Sequence, residues 1–372
     1  MDPAAAKLAS LFDSVANEAT GILVLTTILP PKTQQLFDEF KKRVNQNLTV
    51  RQWTNVVKPT KEELFELIKG ANSILSTLKE NVNEEFINAA GPQLKTISIM
   101  GTGYDHINLD VVNKYGIKLG FTPGAVTSCT ADITLLLILG AIRRAKEGIN
   151  AVSEGLWGPW DPNWLLGYEF GGKTIGIIGL GRIGCAVASR VIPLGISKIL
   201  YTSRSVQTEK EEGLLRISKA SRQLENLHAG FATKVDESGF SVERKELDEL
   251  LRLSDIVVVT CALNKETYHL INEEKLMLMK PTAVLVNSAR GGIVDGFALA
   301  KALENDTIFA AGLDVTDPEP IPMTHPLVSH PRCMILPHLG FATSETHNRT
   351  ATFALLNVLS GALGKDLPFR VI

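Results

Sequence analysis

The chain has 372 residues, too many for one compact domain at roughly 150 residues each, so two to three domains are expected. Apolar residues make up 45% and charged residues 21%, and 38 basic against 40 acidic side chains leave a formal charge of −2. This composition suits a well-cored soluble protein and lacks the global basic field that phosphate-backbone binding needs, which argues against nucleic acid as a partner.

From Gly21 onward, short β-branched runs alternate with helical patterns. Strands are predicted over 22–29, 48–53, 73–78, 94–100 and 117–122, with helical spacing over 32–44, 61–70 and 83–90 between them. Such alternation predicts a parallel sheet with helices on both faces. One long helix is predicted over 128–153. It contains the apolar stretch 133–142, which is ten residues, short of the roughly 20 that span a bilayer, and is therefore expected to be buried. A loop rich in Trp, Pro and Gly follows at 155–172, and its Trp157, Trp160 and Trp164 suggest packing in a core or against a second subunit.

A second series then begins, with strands predicted over 174–179, 198–202, 255–260, 283–287, 308–315 and 333–337, and a last helix over 344–361. Six strands with helices between them are what a dinucleotide-binding sheet requires. Between Arg204 and Leu247 the rhythm breaks into a polar, mixed-charge surface excursion, with helix-compatible spacing only over 214–227 and no functional role expected.

Targeting signals are not evident at the N-terminus, and the C-terminal FRVI is not a peroxisomal address. Cys129, Cys185, Cys261 and Cys333 form no CxxC pair, so reduced thiols in a cytoplasmic protein are expected, without a disulfide scaffold. His325, His330 and Cys333 crowd one segment, but its prolines favour loop and sheet roles, and no metal is expected. His106, His228, His269 and His347 are expected to be structural or exposed.

GLGRIG places Gly179, Gly181 and Gly184 between an apolar strand and a helix. The first glycine permits the tight turn, the second lets a pyrophosphate approach the backbone, and the third allows close helix–strand packing. At the end of the next strand, where an NAD site carries an acidic residue for the ribose, this chain has Ser203 and Arg204. A guanidinium beside a hydroxyl attracts a 2′-phosphate, so NADPH is expected in preference to NADH.

Arg290, Glu319 and His338 each follow a separate predicted strand, at the edge where open parallel sheets bind ligands. An arginine holds a carboxylate in bidentate fashion, and a histidine paired with a carboxylate does acid–base work. Beside a nicotinamide, the three suit reduction of a 2-oxo acid.

GLGRIG, NSARGGIVD (287–295), AAGLDVTDPEP (310–320), LPHLGFAT (336–343) and GTGYDHINLD (101–110) together resemble the D-isomer-specific 2-hydroxyacid dehydrogenases, from about Ile22 to the C-terminus. The DVT-x-PEP segment, the YTSR turn and the tryptophan-rich loop look most like the glyoxylate/hydroxypyruvate reductase branch. The resemblance implies two Rossmann-like or flavodoxin-like parallel-sheet domains, with a cofactor domain (126–343) inserted into a substrate domain (1–125 and 344–372).

It further implies that Arg290 binds the oxo acid, that His338 is the proton donor with Glu319 as partner, and that backbone N–H groups of Gly101, Thr102 and Gly103 hold the carboxylate. Asp314 would contact the nicotinamide carboxamide, and the cofactor set also takes in Arg182, Ile183, Cys261, Ala289 and Gly340. Reduction should fade at high pH as His338 loses its proton, with Glu319 extending the active range upward. A homodimer is implied, in which Trp160 would reach the partner's substrate pocket.

The chain departs from the family pattern at Phe341, where Ser is usual, at Asp132, where Glu is usual, and in the length of the excursion. The neighbouring alternatives are an NAD-linked D-lactate or D-glycerate dehydrogenase, and a nucleotide-sensing corepressor-like binding protein on the same scaffold.

Overall fold

Two parallel sheets form from the two alternating series, in a computed structural model that describes residues 3–228 and 239–372. The chain divides into two units, the first made of Met1–Val126 and Ala342–Ile372, the second of Thr127–Phe341. The second unit therefore interrupts the first in sequence.

In the first unit, β1 (Gly21–Leu25), β2 (Leu48–Gln52), β3 (Ser73–Ser76), β4 (Thr96–Ile99) and β5 (Lys118–Gly120) lie in the order β2-β1-β3-β4-β5, all parallel. This is a flavodoxin-like arrangement. Side chains alternate across the sheet with period two, and both faces are apolar. Leu23, Leu25 and Leu75 face Phe37, Phe40 and Leu355, while Val24, Ile74 and Ile97 face Ile68, Phe86 and Val112. The C-terminal helix Ser344–Ala362 packs on β3 and β4 and on the first helix, Pro3–Glu18.

The second unit orders β6 (Thr174–Ile178), β7 (Lys198–Thr202), β8 (Ser241–Arg244), β9 (Ile256–Val259), β10 (Val284–Asn287), β11 (Ala310–Leu313) and β12 (Cys333–Ile335) as β12-β11-β10-β9-β6-β7-β8, again parallel. Along β9, Ile256 and Val258 enter one core with Val187 and Leu137, and Val257 and Val259 enter the other with Leu250 and Leu299. Each side chain fully buried in this way contributes about 1.5–3 kcal/mol of transfer free energy, and IVVV, apolar on both faces, lies between β10 and β6 as a central strand.

Four expectations need correction. The single helix over 128–153 is two helices, Thr127–Ile142 and Ala145–Ser153, broken where Arg144 takes a left-handed backbone (φ 55°). Its guanidinium locks the break by pairing with Glu147 at 2.6 Å and reaching the Leu166 carbonyl. The apolar stretch within the first helix is not wholly buried, because Leu136 and Leu139 are exposed.

The second sheet has seven strands rather than six, since β8 lies inside the supposed excursion. The excursion also carries the 21-residue helix Thr208–His228, longer than the spacing over 214–227 predicted. The remainder of the excursion, 229–238, lies outside the described residues. Among the described residues no helix is long and apolar enough to cross a membrane.

Candidate active site

The strand order reverses between β6 and β9, and ligands of open α/β sheets bind at the carboxyl edge of that reversal. The turn Gly179–Gly184 leaves β6 there. Gly179 adopts φ +100°, and a Cβ on it would stand 2.9 Å from the backbone N and Cα of Cys261, just after β9. Only glycine satisfies both conditions. Thr260 Oγ1 donates to the Gly179 carbonyl at 2.8 Å, joining the two strand ends.

Gly181 is the N-cap of the helix Arg182–Val191, and no side chain caps that end. The first-turn N–H groups of Arg182, Ile183 and Gly184 are thus presented where a diphosphate would lie, beyond an open Gly181 Cα. Cradle, reversal point and helix end fit a dinucleotide.

At the end of β7, Ser203 Oγ donates to the Ser205 carbonyl (2.5 Å), and Arg244 Nε donates to the Ser203 carbonyl (2.9 Å). Arg204 is exposed on this turn. Lys210, from the inserted helix, donates through Nζ to the Leu180 carbonyl at 2.8 Å. Neither Arg244 nor Lys210 was among the residues expected here. Both belong to the excursion, and a sequence spacing cannot show that its strand returns to the turn after β7 and its helix to the glycine-rich turn.

Arg290, Glu319 and His338 all lie beyond the carboxyl ends of adjacent strands. After β10, buried Asn287 shapes the turn: its Oδ1 accepts from Ala289 N (3.0 Å) and its Nδ2 donates to the Arg290 carbonyl (2.8 Å). The Arg290 side chain, half-buried, donates through Nη1 to the Ala289 carbonyl at 2.9 Å. The next residue, Gly291, sits so close to the segment before Glu319 that a Cβ would come within 1.9 Å of the Thr316 carbonyl oxygen.

Glu319 accepts from Thr316 N at 3.1 Å through Oε1, and its Oε2 lies 3.0 Å from His338 Nδ1. The carboxylate only accepts, so Nδ1 carries the proton and Nε2 is left for other chemistry. Burial pushes the Glu319 carboxyl upward, but the His338 hydrogen bond and charge, the Thr316 N–H and the Arg290 charge outweigh it and hold the group below its ordinary range.

His338 itself has a left-handed backbone (φ 54°), which costs a non-glycine residue roughly 1–2 kcal/mol. Asp314 holds it there. The Asp314 carbonyl accepts from His338 N at 2.9 Å, and its buried carboxylate accepts from Leu339 N (2.7 Å) and Gly340 N (2.8 Å). Burial raises the Asp314 carboxyl against the lowering effect of those two N–H groups. The ring of Phe341 stands edge-on to the His338 ring, with centroids 5.6 Å apart.

In the first unit, Gly101, Thr102 and Gly103 form the turn after β4. Thr102 Oγ1 donates to the Thr122 carbonyl (2.9 Å), and Tyr104 packs edge-on against Phe121. Trp157 and Trp160 are 71% and 87% exposed, which removes core packing as their role in this chain.

A family model described as "D-isomer specific 2-hydroxyacid dehydrogenase, NAD binding domain" matches residues 135–230 and 226–340. The chain belongs to the D-isomer-specific 2-hydroxyacid dehydrogenases. Among the relatives of this dehydrogenase is the glyoxylate reductase/hydroxypyruvate reductase of Homo sapiens, 39% identical over 319 residues that cover 86% of this chain and 89% of that protein. A glyoxylate reductase of Thermofilum pendens is 39% identical over 314 residues, 84% of this chain and 85% of that one. The solved glyoxylate reductase from Paecilomyes thermophila superposes with a TM-score of 0.77 at 30% identity, covering 95% and 98% of the two chains. As a member of this family the chain is an oxidoreductase for small hydroxy or oxo acids that uses a nicotinamide cofactor, with its second unit as the NAD-binding domain.

Proposed function

We propose that this dehydrogenase works as a reductase, converting glyoxylate and hydroxypyruvate to glycolate and D-glycerate with NADPH. The observation that carries the reading is the 3.0 Å pairing of His338 with Glu319 beside the Arg290 charge, on the strand edge that also bears the dinucleotide cradle. Glyoxylate is the substrate named for both curated relatives described above.

A bound reduced nicotinamide supplies the hydride for the 2-oxo carbon. Arg290 pairs with the substrate carboxylate and orients the carbonyl. His338, protonated at both nitrogens, gives its Nε2 proton to the carbonyl oxygen as the alcohol forms, and Glu319 stabilises the imidazolium beforehand. Asp314 keeps the His338 loop in place, and its carboxyl would also contact the carboxamide of a bound nicotinamide. The Gly101–Gly103 turn, in the first unit, holds carboxylate oxygens through backbone N–H groups, which makes that unit the substrate domain.

NADPH preference rests on Ser203 and Arg204, where a carboxylate would repel the 2′-phosphate. A homodimer is supported by the exposed apolar run of Ile149, Val152, Leu156, Trp157 and Trp160, next to exposed Leu136 and Leu139. That the four cysteines are thiols rather than disulfides favours the cytoplasm. Following the absorbance of reduced nicotinamide across a panel of 2-oxo acids, with each cofactor in turn, tests the whole reading; oxidation that depends on no member of the panel would reject it.

A further inference from the structure

We propose that Lys210, at the start of the inserted helix Thr208–His228, is a second cation for the ribose 2′-phosphate and acts with Arg204 to select NADPH. The inference rests on the NADPH reading above.

In a dinucleotide-binding sheet the adenosine ribose lies between the glycine-rich turn and the end of the second strand. Lys210 joins those two places. Its Nζ donates to the carbonyl of Leu180, inside the Gly179–Gly184 turn, at 2.8 Å, and to Gln207 Oε1 at 2.6 Å. An ammonium has three donors, so one remains for a ligand.

The position is built from the strand end. Tyr201 is fully buried on β7, and its hydroxyl accepts from Gln207 N at 2.9 Å while donating to the Glu211 carboxylate. This fixes the first turn of the inserted helix and engages the neighbouring acid away from Lys210. Arg244 is committed elsewhere, with Nε on the Ser203 carbonyl and Nη1 on Glu246 at 3.0 Å. It shapes the turn, and its charge is already matched. Among the described residues Arg204 has no ion-pair partner; with Arg182 placed in the diphosphate cradle, Arg204 and Lys210 are the two cations assigned to the added phosphate. A phosphate dianion gains a charge-assisted hydrogen bond from such an ammonium that a bare ribose hydroxyl cannot match. The excursion thereby completes the cofactor site.

The test measures dissociation constants of NADPH and NADH, by fluorescence of the reduced nicotinamide, for the full-length protein and for Lys210→Met, Lys210→Arg and Arg204→Gln. The account expects Lys210→Met to lower the preference for NADPH over NADH about tenfold, with Lys210→Arg retaining most of it. Equal weakening of both cofactors would show that Lys210 only supports the turn, and would overturn the proposal. If Arg204→Gln erodes the preference and Lys210→Met leaves it intact, the Lys210 proposal fails while the NADPH reading stands. A wild-type protein that binds NADPH no more tightly than NADH removes both.

Discussion

His338 Nδ1 lies 3.0 Å from Glu319 Oε2, and the other oxygen of the same carboxylate is held by Thr316 N at 3.1 Å. With both oxygens engaged, the His338 and Thr316 hydrogen bonds and the nearby positive charge outweigh burial, and the carboxyl is held below its ordinary value. The sign follows directly. A depressed folded-state pKa means that the stabilisation is present above the unfolded value and is lost only as pH falls through the lowered one. The acid limb of kcat/KM for reduction should therefore persist below the ordinary carboxylate range. Glu319→Gln should abolish this acid limb, since the amide does not titrate, and reduce kcat/KM at neutral pH by about 10²-fold. Superimposable pH profiles for the two proteins would separate Glu319 from the proton transfer.

Asp314→Asn tests the clamp on the His338 loop. An amide offers one accepting oxygen, so one of the N–H groups of Leu339 and Gly340 loses its partner and meets an NH2 group instead. The left-handed His338 then has less to hold it. A displacement of about 1 Å at a reacting group can cost about 10²-fold in rate, and kcat should fall by that order while the protein stays folded. A kcat equal to wild type would show that the clamp is not needed.

Gly291→Ala places a Cβ against the Thr316 carbonyl, forcing apart the backbones that carry Arg290 and Glu319. Overpacking of this kind costs about 1–3 kcal/mol, read as a lower Tm. Because Arg290 and Glu319 move relative to each other, KM for the oxo acid should rise as well. An unchanged KM with a lowered Tm would mean that this close approach serves stability alone.

The exposed tryptophan face predicts the oligomeric state. Light scattering on the purified protein should give twice the 40.4 kDa chain mass, and Trp157→Ala combined with Ile149→Ala should shift it toward the monomer. Trp160→Ala should relax the preference for small over bulky 2-oxo acids. A monomeric wild-type protein would refute the dimer, and an unchanged preference in Trp160→Ala would refute that residue's part in the pocket.

The sequence revealed most about segments whose signal is local. Gly179 follows the apolar run of β6, and Arg290, Glu319 and His338 each follow another such run, so periodicity and position sufficed to place them beyond strand ends. β8 escaped because Ser241–Arg244 is a half-buried edge strand with charged residues and no apolar run. The break at Arg144 escaped because it uses neither Gly nor Pro, only an arginine whose left-handed backbone is stabilised by Glu147. The Asp314 clamp spans 25 and 26 positions and the approach of Lys210 to Leu180 spans 30, and no local pattern encodes them.

The most direct test is the ratio of kcat/KM for glyoxylate, and for hydroxypyruvate, with NADPH and with NADH on the same purified protein. The account predicts measurable turnover of both acids with NADPH favoured by about tenfold or more, the scale of one charge-assisted contact to a phosphate. Turnover favouring NADH would contradict the cofactor assignment, and no turnover of either acid with either cofactor would contradict the central claim.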